Sequence, residues 1–299
     1  MSTTAPIWAE LSAEEHEFQY NPQRAFPDFS KHQAARAGAN LQARTGLSMH
    51  ADVRYGDHPL RSLYIFAADA PAGQAPVHVF FHGGYWRAQD KQNFAFIAGA
   101  LVPLGITTII ANYELCPAST LDGVVDSALA AFEWVCRHAH QYGADPRQIS
   151  LSGHSAGAHL VAEILATDWS ARGIDASALV GAVMVSGIFD PRPVMSTTVN
   201  QQLLLTEEIA ARHDVERRLP LVQCPTSILV GGLEPVQWID QSFRYSQRLR
   251  GNGQDPAVHV LPGHDHFSII GDYAVPDSLM LRAVRSSALR SWARAQGRA

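Results

Sequence analysis

Short apolar segments alternate with helical segments along most of the chain. From residue 77 onward each such segment is apolar at successive positions, and stretches with helical periodicity separate them, notably 119 to 141 and 156 to 167. Strands that are apolar on both faces and alternate with helices are typical of a mostly parallel sheet covered on both sides. The predicted strands are residues 77 to 82, 107 to 115, 148 to 155, 181 to 190, 226 to 234 and 257 to 266.

The chain before residue 77 follows other patterns. Residues 1 to 45 are predicted to be helical: Ser12 and Glu15 form a capping box, the first helix should end at Asn21 before a proline, and a second is expected over residues 28 to 44. The alternating segments LSMHADVRYG and RSLYIFAAD then predict an antiparallel strand pair at a sheet edge. With this pair, the predicted α/β sheet has eight strands.

Two stretches depart from the alternation within the single domain expected over residues 1–299. Residues 191 to 219 are long and mixed in character, and we expect them to form a small helical lid. Residues 94 to 113 carry no charge over the length of a membrane span. Because Pro103 and Gly105 break this run, it predicts a buried helix, a tight turn and a buried strand instead.

Composition and charge restrict the partners. Hydrophobic residues make up 46% and charged residues 17% of the chain, so it can bury a sizeable core, and a net charge of −5 without a long Lys/Arg run favours neither nucleic acid nor membrane as a partner. The three cysteines are widely spaced without a CxxC motif, which fits a reducing compartment. Since the N-terminus also lacks the pattern of a signal peptide, we expect a cytoplasmic location. Homodimerisation is left open.

A candidate nucleophile lies in SLSGHSAGAHL. Gly153, Ser155 and Gly157 form a G-x-S-x-G motif between an apolar strand and a helix rich in alanine and leucine. This is the context of a nucleophile elbow, in which glycines allow a sharp turn and the serine hydroxyl projects from it. A serine at a strand-to-helix turn can also simply cap the helix.

The HGG of VFFHGGYWRAQD suggests half of an oxyanion hole at the end of an upstream strand. Gly83 and Gly84 would leave their amide N–H groups accessible, and the N–H of Ala156, just after the candidate nucleophile, would complete the hole. We expect His82 to hold this loop by hydrogen bonding rather than to accept a proton.

Two aromatic residues, Tyr85 and Trp86, follow the glycines directly. Large rings at the end of a buried strand can pack beneath a lid, as aromatic residues often do in cores. They can also form a wall that stacks on an aromatic substrate. Both residues are therefore candidates for substrate binding.

The base and the acid are sought by chain order, which runs serine, acid, histidine in this type of triad. His266, in GHDHF after the last strand, is the preferred base, with His264 as its near rival. Glu234, at the end of the preceding strand, is better placed to reach the imidazole than Asp240, which is expected in the next helix. The triad predicted is Ser155, His266 and Glu234.

The other histidines are expected to be ordinary. We expect His154 to face away from the candidate nucleophile and His159 to be structural. No HxxxH or HExxH spacing supports a metal site. Neither a metal nor a cofactor is expected.

The motifs HGGYW and GHSAGAHL resemble those of the kynurenine formamidase (arylformamidase) branch of the α/β-hydrolases, near the hormone-sensitive-lipase-like esterases. YNPQR, NQQLLLTEE and HDHF are similar to the N-terminal, lid and histidine-loop segments of that branch, so the resemblance covers most of the chain. HGGYW is fairly specific to the branch, whereas G-x-S-x-G is widely shared.

The resemblance implies an α/β-hydrolase fold and a serine hydrolase without a cofactor. Its expected substrate is a small aryl formamide such as N-formylkynurenine, and the alternative is a carboxylesterase for short acyl esters. The chain departs from the family at the acid, because Leu233-Glu234 stand where the family usually has a His-Asp pair. This difference puts the identity of the substrate in doubt more than the type of chemistry.

Overall fold

A computed structural model describes residues 7–295 of the chain. Its centre is an eight-stranded sheet in the order β1-β2-β4-β3-β5-β6-β7-β8. The pairs β1–β2 and β2–β4 are antiparallel, and all other neighbours run parallel. The strands are β1 Met49–Arg54, β2 Ser62–Phe66, β3 Ala75–Phe81, β4 Thr107–Ala111, β5 Ala144–His154, β6 Leu179–Val185, β7 Thr226–Gly231 and β8 Ala257–Leu261.

Helices cover both faces of the sheet. The α-helices are α1 Ala13–Tyr20, α2 Pro22–Ala25, α3 Ser30–Gly46, α4 Phe96–Leu101, α5 Leu121–His138, α6 Ala156–Leu165, α7 Asn200–Leu203, α8 Glu207–Arg212, α9 Val236–Gly251 and α10 Leu279–Ala295. Short 3₁₀ helices are Ile7–Glu10, Lys91–Phe94, Val102–Leu104, Ala139–Tyr142, Ser170–Arg172, Ala176–Ala178, Arg192–Ser196 and Ile269–Ala274.

Two apolar layers hold the helices to the sheet. Side chains of α5, α6 and α9 pack on one face with inward residues of the strands. Side chains of α3, α4 and α10 pack on the other face. Every residue of β3 and β4 is buried, which explains why these strands are apolar at successive positions. The expected α/β-hydrolase architecture, with a mostly parallel sheet between helices, is thus confirmed.

The N-terminal helical segment agrees with the capping pattern. Ser12 caps α1: its Oγ accepts the Glu15 N–H at 3.3 Å, and a Glu15 carboxylate oxygen accepts the Ser12 N–H at 2.9 Å. Helix α1 ends at Tyr20, one residue before Asn21, and α3 covers the second predicted helix. Residues 1–6 of the predicted segment lie outside the described residues.

The uncharged run 94 to 113 folds as its Pro and Gly predict. Helix α4 is followed by a short 3₁₀ turn, Gly105 takes a left-handed conformation with φ of 80°, and β4 begins at Thr107. Among residues 7–295, the helices all fall short of the length and apolarity needed to cross a bilayer.

The predicted strand ends are wrong in several places. The strand expected over 107 to 115 ends at Ala111, and the one expected over 257 to 266 ends at Leu261. The residues beyond these ends leave the sheet as loops at the carboxyl edge of the parallel strands. Loops at this edge form the sites of open α/β folds.

Candidate active site

Ser155 lies in a sharp turn between β5 and α6, at the carboxyl edge of the sheet. Its backbone has φ of 56° and ψ of −117°, a conformation that typically costs a non-glycine residue about 1–3 kcal/mol. Its N–H donates to the Val185 carbonyl at 2.8 Å, which fixes the turn to the neighbouring strand. A Cβ at Gly157 would collide with the Phe81 carbonyl oxygen, so only glycine allows α6 to start this close to β3.

His266 lies beside the Ser155 hydroxyl. Its Nε2 accepts the hydrogen bond of Ser155 Oγ at 3.0 Å, and the imidazole is almost fully buried. The Trp238 ring packs edge-on against the imidazole, with centroids 4.8 Å apart. The rival His264 points elsewhere, since its Nε2 lies 3.4 Å from an Asp272 carboxylate oxygen. The structure therefore brings together Ser155 and His266, and not His264.

Glu234 is the carboxylate that meets the imidazole. Nδ1 of His266 donates to Glu234 Oε2 at 2.7 Å, and the Glu234 side chain is fully buried. Its other oxygen, Oε1, accepts the Gly231 N–H at 2.7 Å, so the side chain curls back to the end of its own strand, β7. This bend accommodates the extra methylene of glutamate. Asp240 lies one turn into α9 and pairs with Arg244 instead.

Ser186 is a member of this site that the sequence reasoning missed. Its hydroxyl donates to Glu234 Oε1 at 2.5 Å, and its own carbonyl accepts the Trp238 indole N–H at 2.8 Å. It follows β6 with a φ of 48°, an unusual value for serine. In the sequence, the local signal for Ser186 was its position just past a strand, at the carboxyl edge of the sheet.

Replacing Ser186 with alanine should lower kcat about tenfold, because one hydrogen bond to a buried charged group is lost, worth about 1.5 kcal/mol. Ser242→Ala on α9 is the matched control, since this buried hydroxyl has no hydrogen-bond partner among the described residues. Steady-state kinetics with an ester that the protein hydrolyses would measure kcat for both variants. Equal activities of the two variants would rule out a role for Ser186 in holding Glu234.

His154 was expected to face away from the nucleophile, and this expectation is wrong. Its Nε2 donates to the His266 carbonyl at 2.8 Å, and the two rings lie 4.8 Å apart. Burial holds the pKa of His154 well below its usual value, so the ring is neutral. His154 thus anchors the backbone of the loop that carries His266.

The amide groups expected to form the oxyanion hole converge near Ser155. Within residues 7–295, the N–H groups of Gly83, Gly84 and Ala156 donate to no protein acceptor. Both glycines line the cavity in which Ser155 lies. Gly84 has a φ of 116°, and a Cβ there would collide with the Ala88 carbonyl, so the loop requires glycine. Donors left free in this way can bind a developing oxyanion.

His82 holds the glycine loop as expected. Its Nδ1 donates to the Gly83 carbonyl at 2.7 Å, and its carbonyl accepts the Tyr113 hydroxyl at 2.6 Å. The Tyr113 ring stacks on the imidazole with centroids 4.4 Å apart. Burial lowers the pKa of His82 to about 4, so it stays neutral and serves as a fixed donor.

The cavity above Ser155 measures about 80 Å³, and aromatic side chains form part of its wall. Phe29, Phe94 and Phe267 line it, and the Phe29 and Phe267 rings lie 5.2 Å apart. Part of the wall comes from the N-terminal segment.

The stretch expected to form a lid does not contribute to the wall, since the described lining includes no residue from 191 to 219. That stretch contains α7 and α8. Residues between 22 and 36 line this cavity instead. Its role as a lid stays a prediction.

Tyr85 and Trp86 occupy different places. Tyr85 lines the cavity, and its hydroxyl donates to the Tyr20 carbonyl at the end of α1, which ties the N-terminal segment to the glycine loop. Trp86 is fully buried outside the lining, with its ring edge-on to His159 at 5.1 Å. The expectation that Trp86 forms a substrate wall is wrong, because its ring packs in the apolar core and does not line the cavity.

His159 is structural, as expected, since its Nε2 donates to the His213 carbonyl at 2.9 Å in a fully buried position. Among residues 7–295, His, Cys, Asp and Glu side chains form no group of three that could hold a metal ion.

Comparison with known proteins adds to this geometry. A family model described as the alpha/beta hydrolase fold matches residues 78–269. The chain is 31% identical over 275 residues to the kynurenine formamidase of Danio rerio. This match covers 88% of this chain and 92% of that protein. It is 29% identical over 291 residues to the kynurenine formamidase of Salmo salar, and this match covers 91% of this chain and 97% of that protein. The structure of esterase B from Lactobacillus rhamnosis shares the fold, with a TM-score of 0.71 and 16% identity over 96% of this chain and 100% of that one.

Proposed function

The chain belongs to the α/β-hydrolase family and, within it, to the group of the kynurenine formamidases, and we propose on that premise that it hydrolyses a small aryl formamide such as N-formylkynurenine. The chain is a hydrolase by its family. The observation that carries the proposal is the continuous hydrogen-bond chain from Ser155 Oγ through His266 to Glu234, at 3.0 and 2.7 Å, beside three free amide donors.

The first half of the proposed reaction forms an acyl-enzyme. Ser155 Oγ attacks the formyl carbon while His266 Nε2 accepts the hydroxyl proton. Glu234, held by its bond to Nδ1, stabilises the imidazolium that results. The oxyanion of the tetrahedral intermediate is bound by the N–H groups of Gly83, Gly84 and Ala156. Its collapse breaks the carbon–nitrogen bond, and His266 returns the proton to the leaving arylamine.

The second half releases formate. Water enters, His266 removes one of its protons, and the resulting hydroxide attacks the formyl ester on Ser155. The tetrahedral intermediate collapses with protonation of the Ser155 oxygen by His266. Phe29, Phe94 and Phe267 in the cavity wall suit an aryl leaving group.

A comparison of two substrates tests this proposal. We expect N-formyl-L-kynurenine to be turned over with a kcat/KM of about 10⁴ M⁻¹s⁻¹ or above, within the usual enzyme range. 4-Nitrophenyl acetate, an activated ester that needs no general acid for its leaving group, is assayed in parallel. Turnover of the ester alone would reject the formamidase and favour the alternative, a carboxylesterase for short acyl esters.

We propose that this reaction takes place in the cytoplasm. Cys116, Cys136 and Cys224 are all free thiols, which is consistent with a reducing compartment such as the cytoplasm. We expect a small-molecule substrate, with neither nucleic acid nor membrane as a partner. A homodimer stays open.

A further inference from the structure

Arg36 extends from α3 into the wall of the Ser155 cavity. Its Nη1 donates to the Phe267 carbonyl at 3.3 Å, and its guanidinium lies 5.6 Å from the centroid of the Phe96 ring. Its Nε is buried and finds no acceptor among the described residues. Arg36 therefore places a charged donor at the cavity with hydrogen-bonding capacity unused.

No carboxylate neutralises this cation. Within residues 7–295, Arg36 forms no ion pair, and no Asp or Glu lines the cavity. Burial lowers the pKa of Arg36 to about 10, so the side chain remains protonated near neutral pH.

Two other partly buried arginines of the chain are paired with carboxylates. Arg61 pairs with Glu114 at 2.7 Å, and Arg192 pairs with Asp190 at 2.7 Å. A partly buried cation without a partner is unfavourable, and proteins usually compensate it. Arg36 differs from these two, since among the described residues it has no carboxylate partner, and it lies at the active-site cavity.

A second arginine adds to the positive character of the cavity. Arg87 lies in its lining and donates to two neutral groups, Gln202 Oε1 at 2.6 Å and Gln23 Oε1 at 2.9 Å. The described lining thus carries two arginines and no acid, in a chain whose net charge is −5. A cavity of this kind favours an anionic ligand.

We propose that Arg36 binds a carboxylate of the substrate and makes the enzyme selective for aryl substrates that carry a carboxylate. The inference deepens the proposed function and rests on it. N-formyl-L-kynurenine fits, because it carries an amino-acid carboxylate on the leaving-group side of the formamide. Arginine is suited to this task, since its planar donors match a carboxylate. Aromatic walls hold the aryl ring while Arg36 holds the charged end.

Two substrate pairs test the role of Arg36. The first is N-formyl-L-kynurenine and N-formylkynuramine, which differ only by the carboxylate. The second is 3-acetoxybenzoate and phenyl acetate, which share the acetyl group and differ by a carboxylate on the leaving group. Values of kcat/KM are measured for the wild type, Arg36→Gln and Arg36→Lys. Arg44→Gln, on the same helix but outside the cavity lining, is the matched control.

We expect Arg36→Gln to lower kcat/KM for the carboxylate-bearing member of each pair about 30-fold, since a charge-assisted hydrogen bond is lost. The neutral or carboxylate-free member should change less than about threefold, because the triad is intact. Arg36→Lys should recover part of the selectivity, and Arg44→Gln should behave as wild type.

Several results would overturn the proposal. Equal losses for both members of a pair would mean that Arg36 acts only by supporting the Phe267 carbonyl and the histidine loop. Wild-type enzyme without carboxylate preference in either pair would also refute it. If neither formamide is hydrolysed but the acetoxybenzoate preference disappears in Arg36→Gln, the formamidase function fails while carboxylate selection by Arg36 stands.

Discussion

Replacing Ser155 with alanine should lower kcat by about six orders of magnitude, as loss of the nucleophile does in a serine triad. The hydroxyl is the group that His266 Nε2 faces at 3.0 Å, and among the described residues no second hydroxyl is hydrogen-bonded to that nitrogen. Substrate binding should persist, because the cavity walls and the amide donors do not change. Single-turnover and steady-state rates with 4-nitrophenyl acetate measure the effect, and circular dichroism checks the fold.

A fluorophosphonate probe provides the control for this variant. The wild type should be labelled covalently, and Ser155→Ala should not, since the probe reacts only with an activated serine. Labelling of the variant, or turnover within a hundredfold of wild type, would assign the nucleophile elsewhere. If the wild type binds ligands but is neither labelled nor active, the chain is a binding protein that keeps a hydrolase fold.

Replacing Glu234 with glutamine should lower kcat about 10⁴-fold, as the corresponding amide substitution does in a related triad. Both carboxylate oxygens of Glu234 only accept: Oε2 faces His266 Nδ1–H, and Oε1 faces the Ser186 hydroxyl and the Gly231 N–H. An amide nitrogen placed on either side would meet a donor. The imidazole must then change its tautomer or the Glu234 pocket must open.

Asp240→Asn is the matched control for the acid. This residue follows the same strand but pairs with Arg244 on the side of α9, so its substitution should change kcat less than about threefold. Glu234→Asp keeps the charge but shortens the reach to Nδ1, and an intermediate rate is expected. A larger loss in Asp240→Asn than in Glu234→Gln would show that the acid is misassigned.

The acid illustrates how far a sequence can be interpreted. Chain order placed an acid between Ser155 and His266, and strand periodicity placed Glu234 at the end of a strand. Whether Glu234 or Asp240 meets the imidazole depends on the direction in which the backbone leaves β7. The hydrogen bonds at Gly231 and Ser186 decide that geometry, and one of them comes from a different strand.

Ser186, His154 and Arg36 were not predicted because their roles depend on contacts between segments far apart in the chain. Ser186 reaches Glu234 from the end of β6, and His154 reaches the backbone of His266 across the sheet edge. Arg36 reaches the cavity from a helix whose sequence resembles an ordinary polar surface helix. Periodicity reports which face of an element is apolar, and it carries no information on what that face meets.

The sequence by itself determined the fold class, the nucleophile elbow and the glycine loop, because each has a local cause. Successive apolar positions require burial on both faces, and a sharp turn or close backbone approach requires glycine, as at Gly157 and Gly84. Only the tertiary structure decided that Trp86 belongs to the core and that the N-terminal segment covers the cavity. Those outcomes depend on how distant elements pack, and packing is set by the whole chain at once.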